Sequence, residues 1–161
     1  MSEVRMGPIR LNPLAISGVK VAPHLQKPER PALIRTLLII DDNFLMSKIL
    51  ARTINQAFGI TVTYISDSVG TIEEQALEQV KYGSFDMIFM DGNLTKGTSG
   101  EKITARLRTE LKYAGYIVGI SDDDGRKMAM LANGADFSIL EHNEPKTGLS
   151  IARLRTVFIR H

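Results

Sequence analysis

A chain of 161 residues has room for one domain with a short extension, and it can bury a sizeable core without disulfides or structural metal. With 43% apolar residues, 24% charged residues and no cysteine, the composition is that of a globular protein and excludes a disulfide scaffold, a thiolate zinc site and a cysteine nucleophile. No apolar run approaches the roughly 18 residues that span a bilayer, and the opening MSEVRMGPIRLNPL lacks the apolar centre of a secretory signal. A soluble, cytoplasmic protein with no membrane contact is expected.

The net charge of +2 is unevenly spread. Residues 1–35 carry six basic side chains against two acidic ones, whereas residues 36–161 carry fourteen against sixteen. Five of the six prolines precede residue 32. This predicts a basic, Pro-containing N-terminal arm over 1–35, poor in helix, ahead of a mildly acidic domain over 36–161. The arm's apolar patches, Ile9 to Leu14 and Val19 to Ala22, are too short for a core of their own and suited to docking on the domain. A basic arm suits an anionic partner, but a solvated tail is the simpler reading, and no nucleic-acid partner is expected.

From Leu37 onward the pattern is periodic. Leu37 to Ile40 is an all-apolar run, as in a strand buried on both faces. Asp41 and Asp42 end it, and Asn43 can cap a helix over about 44–58, with apolar Met46, Leu50, Ile54 and Phe58 and a stop at Gly59. Thr61 to Ile65 reads as a strand and Ile72 to Val80 as a helix that ends near Lys81, Tyr82 and Gly83. Met87 to Met90 is a second all-apolar strand with Asp91 at its end, followed by a Gly-, Thr- and Asn-rich loop to Ser99 and a helix from Gly100 to about Leu111. Tyr116 to Ile120 is a strand ending at Ser121; Asp122, Asp123 and Asp124 lead a short helix through Ala132, with Gly134 suited to its C-terminal cap. Phe137 to Leu140 is the fifth strand, and Leu149 to Ile159 the last amphipathic helix.

Five alternations of strand and helix predict an α/β fold, a doubly wound five-stranded parallel sheet with helices on both faces. In such sheets working residues gather at the carboxyl ends of the strands, which selects Asp41, Asp42, Asp91, Ser121 and Glu141. Carboxylates converging at one sheet edge repel one another, and a divalent cation removes that cost. Magnesium suits hard oxygen ligands, and a carboxylate beside it can serve as a nucleophile toward phosphorus.

Taken in order, LLIIDDN, FDMIFMD, YIVGIS and GADFSIL resemble the receiver domain of two-component response regulators, a CheY-like, flavodoxin-like fold, over about residues 36–160. The resemblance implies that Asp41 and Asp42 are the acidic metal-binding pair and Asp91 the phosphoacceptor. It also implies that Asn93 offers its backbone carbonyl to magnesium and that Ser121 is the switch hydroxyl. A histidine kinase or phosphotransfer protein is the implied phosphodonor, with a downstream protein partner.

Three positions depart from the pattern. The receiver lysine after the last strand falls on Glu141 in the ungapped count, or on Glu144 if Pro145 matches the family proline, with Lys146 as a substitute if the loop bends back. The aromatic switch position, three before the lysine, falls on Ser138 in the ungapped count, and the neighbouring Phe137 points to the opposite strand face. The proline four residues past the phosphoacceptor is Thr95. A cation about 4 Å from a phosphoryl oxygen gains roughly 4 kcal/mol at an effective dielectric near 20, and a carboxylate there loses as much. The surface over about residues 124–132, 137–140 and 149–159 carries Arg126, Lys127, Arg153 and Arg155, with Arg160 adjoining, and is expected to be basic.

The leading expectation is a stand-alone receiver in a phosphorelay, since no output segment follows Ile159. It would be a signalling module rather than an enzyme, with at most autocatalytic acceptance of phosphate on Asp91. The alternative is a pseudo-receiver that works without phosphate. A sheet-edge hydrolase is disfavoured because Asn93 stands where a second acid is needed.

Overall fold

The structure, a computed structural model, describes residues 31, 33–65, 70–94, 97–140 and 151–158. In chain order they form β1 (Thr36–Ile40), α1 (Phe44–Phe58), β2 (Thr61–Ile65), α2 (Ile72–Tyr82), β3 (Met87–Asp91), α3 (Gly100–Thr109), β4 (Tyr116–Ser121), α4 (Asp124–Ala132), β5 (Phe137–Leu140) and α5 (Ile151–Val157). The strands make one parallel sheet in the order β2-β1-β3-β4-β5, the doubly wound arrangement that the alternation predicts.

The period of two along each strand divides the core between the two faces. Leu37, Ile39, Met87, Phe89 and Val118 pack with Leu50, Ala51 and Ile54 of α1 and with Leu154 and Val157 of α5. Leu38, Ile40, Ile88, Met90 and Ile117 pack with Ile72 and Ala76 of α2, Ile103 and Leu107 of α3, and Met130 of α4. The all-apolar runs of β1 and β3 are therefore the strands covered on both sides. On the α1–α5 face, Phe158 stacks over Phe89 with ring centroids 6.2 Å apart and meets Phe58 at 5.0 Å.

Helix ends follow their capping chemistry. Asn43 accepts from the Met46 N–H at 3.2 Å, and Gly59 closes α1 in the left-handed region at φ 68°. Thr71 and Glu74 form a reciprocal capping box on α2. α2 ends at Tyr82, within the expected stop at Lys81 to Gly83, the Gly83 N–H bonding to the Gln79 carbonyl. One helix differs in length from the sequence reading. α3 stops at Thr109 rather than near Leu111, because Lys112 takes a φ of 51° and turns the chain back toward the sheet. The flanks of α5 at 149–150 and 159 lie outside the described residues, as do residues 1–30 of the predicted arm.

That turn after α3 feeds a buried hub at the amino ends of the strands. The Arg108 side chain, 8% exposed, donates to the carbonyls of Gly134 (2.9 Å), Gly115 (2.9 Å) and Tyr113, and pairs with Asp136 at 2.7 Å. Asp136 also accepts the Ile117 N–H at 2.9 Å, so one guanidinium joins α3, the α3–β4 turn, β4 and the entry to β5. Asp86, one residue before β3, makes the matching clasp on β1, accepting the Arg35 and Thr36 N–H groups at 2.8 and 3.0 Å. Arg108→Met removes the partner of a buried carboxylate and three carbonyl bonds, and is expected to cost about 3–5 kcal/mol in urea unfolding. A loss below about 1 kcal/mol would mean that the hub contributes geometry rather than stability.

Candidate functional site

β1 and β3 are neighbours in the register Ile40↔Met90, while β2 lies on the other side of β1 and β4 on the other side of β3. The chain therefore changes winding direction at the β1–β3 boundary, where the connections diverge and leave a crevice at the carboxyl ends. Asp41 follows β1 and Asp91 ends β3 at that crevice. The structure brings Asp41, Asp42 and Asp91 together: each is half-buried, and one oxygen from each lies within 4.8 Å of the others. Ser121, fully buried, ends the adjacent β4.

One local device recurs at the three strand ends. The Asn43 N–H donates to Asp41 Oδ1 at 2.7 Å, the Asn93 N–H to Asp91 Oδ1 at 2.9 Å, and the Asp123 N–H to Ser121 Oγ at 3.1 Å. In each case a short polar side chain accepts from the backbone two residues on, the turn that Asp and Ser favour. These bonds fix the side chains as the backbone leaves the sheet, and they offset part of the repulsion among the carboxylates. Asp123 then caps α4 through the Arg126 N–H at 2.8 Å, so Ser121 is not itself the helix cap.

The loop after Asp91 is tied to its surroundings on two sides. Toward β4, the Gly92 N–H donates to the Ile120 carbonyl at 2.8 Å, Asn93 Nδ2 donates to Asp122 Oδ1 at 3.0 Å, and Arg126 Nη1 donates to the Gly92 carbonyl at 3.0 Å. Toward α2, Thr98 Oγ1 donates to Glu73 Oε2 at 2.8 Å, and the same carboxylate pairs with Arg106 at 2.8 Å and Lys102 at 3.1 Å.

Two glycines let the backbone come this close. A β-carbon on Gly92 would stand 3.0 Å from Ser121 Cβ and 3.1 Å from the Met130 methyl. One on Gly100, the first residue of α3, would run into the Asp91 carbonyl oxygen.

The donor set fits a hard divalent cation, since three carboxylates offer closely spaced oxygens and nothing softer. Of the positions that depart from the receiver pattern, Ser138 lies in β5 opposite Gly119. Phe137 packs on the α1–α5 face against Tyr116, centroids 6.1 Å apart. Thr95, Glu141, Glu144, Pro145 and Lys146 lie outside the described residues.

The expected basic surface is corrected in part. Lys127 is buried and paired with Asp124, whereas Arg126 is exposed and its Nη1 donates to the Gly92 carbonyl. The Arg155 side chain is exposed, while the side chains of Arg153 and Arg160 are not described. Sequence reasoning missed Arg126, Glu73 and Asp122 as partners of the loop: Arg126 and Glu73 lie in the first turns of helices, and Asp122, directly after β4, reads as part of the acidic lead into α4.

With this geometry in hand, the likeness to solved proteins is specific. The chain has the fold of CheY-like receiver domains. Vibrio cholerae chemotaxis protein CheY4 matches with a TM-score of 0.61 at 21% identity, over 78% of this chain and 99% of that one. A Burkholderia pseudomallei response regulator holding a phosphorylated aspartic acid and a calcium ion matches at 0.60 and 20%, over 78% of this chain and 67% of its own. The receiver domain of a Pseudomonas aeruginosa sensor histidine kinase, with a magnesium ion in its active site cleft, matches at 0.57 and 19%, over 68% and 87%. No family model matches the chain, and no curated protein does. No helix among the described residues is long and apolar enough to cross a membrane.

Burial pushes the Glu73 carboxyl upward, but its bonds from Arg106, Thr98 and Lys102 outweigh that and hold it below the usual range. A carboxyl lowered in the folded state stabilises the fold above its unfolded value of about 4.3, and that contribution disappears as pH falls through the folded value. Glu73→Gln is therefore expected to cost about 1–2 kcal/mol at pH 7. Urea titrations should show the gap from wild type closing below about pH 4; a pH-independent gap would assign the loss to packing.

Gly100→Ala gives a second test, because here helix propensity and close approach act in opposite directions. Propensity alone favours alanine by up to about 1 kcal/mol. The collision with the Asp91 carbonyl should instead cost about 1–3 kcal/mol in urea unfolding. A more stable variant would show that α3 withdraws from β3 freely.

Proposed function

We propose that this chain is a phosphate-accepting receiver of two-component signalling, with Asp91 as phosphoacceptor and output through protein contacts. The observation that carries the reading is the convergence of Asp41, Asp42 and Asp91, oxygens within 4.8 Å, at the carboxyl ends of β1 and β3, with Ser121 ending the neighbouring strand. The metal and the phosphorylated aspartate in the receiver neighbours support it.

Asp41, Asp42, Asp91 and the Asn93 backbone carbonyl would hold magnesium. When bound, the ion lowers the repulsion between an incoming phosphoryl group and the carboxylates. An Asp91 oxygen attacks the phosphorus of a phosphohistidine carried by a histidine kinase or phosphotransfer protein. The O–P bond forms as the N–P bond breaks, and the imidazole leaves with the electron pair and takes up a proton. The Ser121 hydroxyl can then donate its own proton to a phosphoryl oxygen. Beside the crevice, α1 exposes Phe44, Leu45 and Ile49, an apolar surface suited to docking the phosphodonor.

Asp91 is an acceptor in this reading, not a turnover catalyst. The second reading, an interaction module that works without phosphate, is favoured by the small Ser138 where the receiver pattern has a ring. A small-molecule phosphodonor with magnesium separates the two. Wild type should gain one phosphoryl mass increment, Asp91→Asn none, and Asp42→Asn should label at least about tenfold more slowly. Label retained in Asp91→Asn would place the acceptor elsewhere, and an unlabelled wild type would favour the phosphate-independent module.

A further inference from the structure

We propose that Arg126 is the cation that receives the phosphoryl group on Asp91, an inference that rests on the reading of Asp91 as phosphoacceptor and deepens it. Arg126 stands in the first turn of α4, with its Nη1 donating to the Gly92 carbonyl at 3.0 Å. Gly92 follows Asp91 directly, so that carbonyl oxygen lies within roughly 6 Å of the Asp91 Cα by chain geometry alone. The root of the side chain is fixed against the site, because the Arg126 N–H is held by Asp123 Oδ1 and the Asp123 N–H by Ser121 Oγ.

The charges favour an exchange of partner. A phosphoryl group adds about −1.5 to −2 charge at neutral pH, beside three carboxylates. A neutral carbonyl is the weaker acceptor, and a guanidinium carries five N–H donors in a fork that matches phosphate oxygens. Among the described residues, Lys127 is paired with Asp124, Lys102 and Arg106 with Glu73, and Arg108 with Asp136, while Lys48 of α1 lies over the Phe44 ring. The residue directly after β5 is itself an anion, Glu141. Rotation about the Arg126 side-chain bonds moves the guanidinium from the Gly92 carbonyl to the phosphoryl oxygens without moving its backbone. Because Arg126 belongs to α4, that exchange also ties the helix to the state of Asp91 without needing a ring at Ser138.

The test uses the full chain and beryllofluoride, a phosphoryl mimic, titrated with magnesium present and followed by fluorine NMR. Magnesium alone is titrated in parallel by calorimetry. Wild type should bind beryllofluoride, Arg126→Gln should bind it at least about tenfold more weakly, and Arg126→Lys should recover part of the loss. Magnesium alone should bind Arg126→Gln no less tightly than wild type. Lys81→Gln, which removes an exposed charge at the end of α2, should match wild type throughout. Equal beryllofluoride affinity in wild type and Arg126→Gln would overturn the inference and leave the function reading intact. A parallel loss of magnesium and beryllofluoride would also overturn it, by making Arg126 only a support for the Gly92 segment. Failure of wild type to bind beryllofluoride while it binds magnesium would overturn the function reading and the inference together.

Discussion

The in-register parallel pairing of β1 with β3 is the constraint from which the rest follows. Leu37 to Ile40 lie against Met87 to Met90 residue for residue, and both strands are buried on both faces. A slip of one residue would turn each strand's apolar side chains to the wrong helix layer, so packing holds the register. With the register held, Asp41 and Asp91 must emerge together where the connections part. The acidic crevice is thus a by-product of core packing, and the i-to-i+2 turns at Asp41, Asp91 and Ser121 make that crowding tolerable.

The two edges of the sheet use acids in opposite ways. At the amino edge, Asp86 and Asp136 accept backbone N–H groups from the neighbouring strand, and Arg108 closes the second of these clasps. These carboxylates are spent on holding strands together. At the carboxyl edge the acids gather on one another instead, beside local turns at Asp41 and Asp91 and a loop tethered by Glu73 and Arg126. Rigidity at one edge allows the other to carry charge that would otherwise splay the strands.

Much of this was legible in the sequence because it depends on short-range pattern. All-apolar runs gave the central strands, Asn43 and Gly59 gave the limits of α1, and the acids at the ends of the runs gave the site. What escaped was set by partners distant in the chain. Arg108 on an amphipathic helix reads as a solvated charge, yet carbonyls of the next turn and of Gly134 surround it. Glu73 reads as a favourable acid in the first turn of α2, but α3 brings Lys102 and Arg106 over it and leaves it 8% exposed. Lys127 reads as part of a basic surface and is instead covered. Each case needs the packing of α3 or α4, which no local pattern encodes.

The Met130 side chain has a bearing on how this site can vary. Its methyl fills the space left by Gly92, and it also presses on Gly119, where an added β-carbon would stand 2.6 Å from the methyl. Positions 92, 119 and 130, from the loop after β3, from β4 and from α4, therefore border one volume. A side chain gained at Gly119 must be matched by one shortened at 130, whereas one gained at Gly92 would also press on Ser121 Cβ, 3.0 Å away.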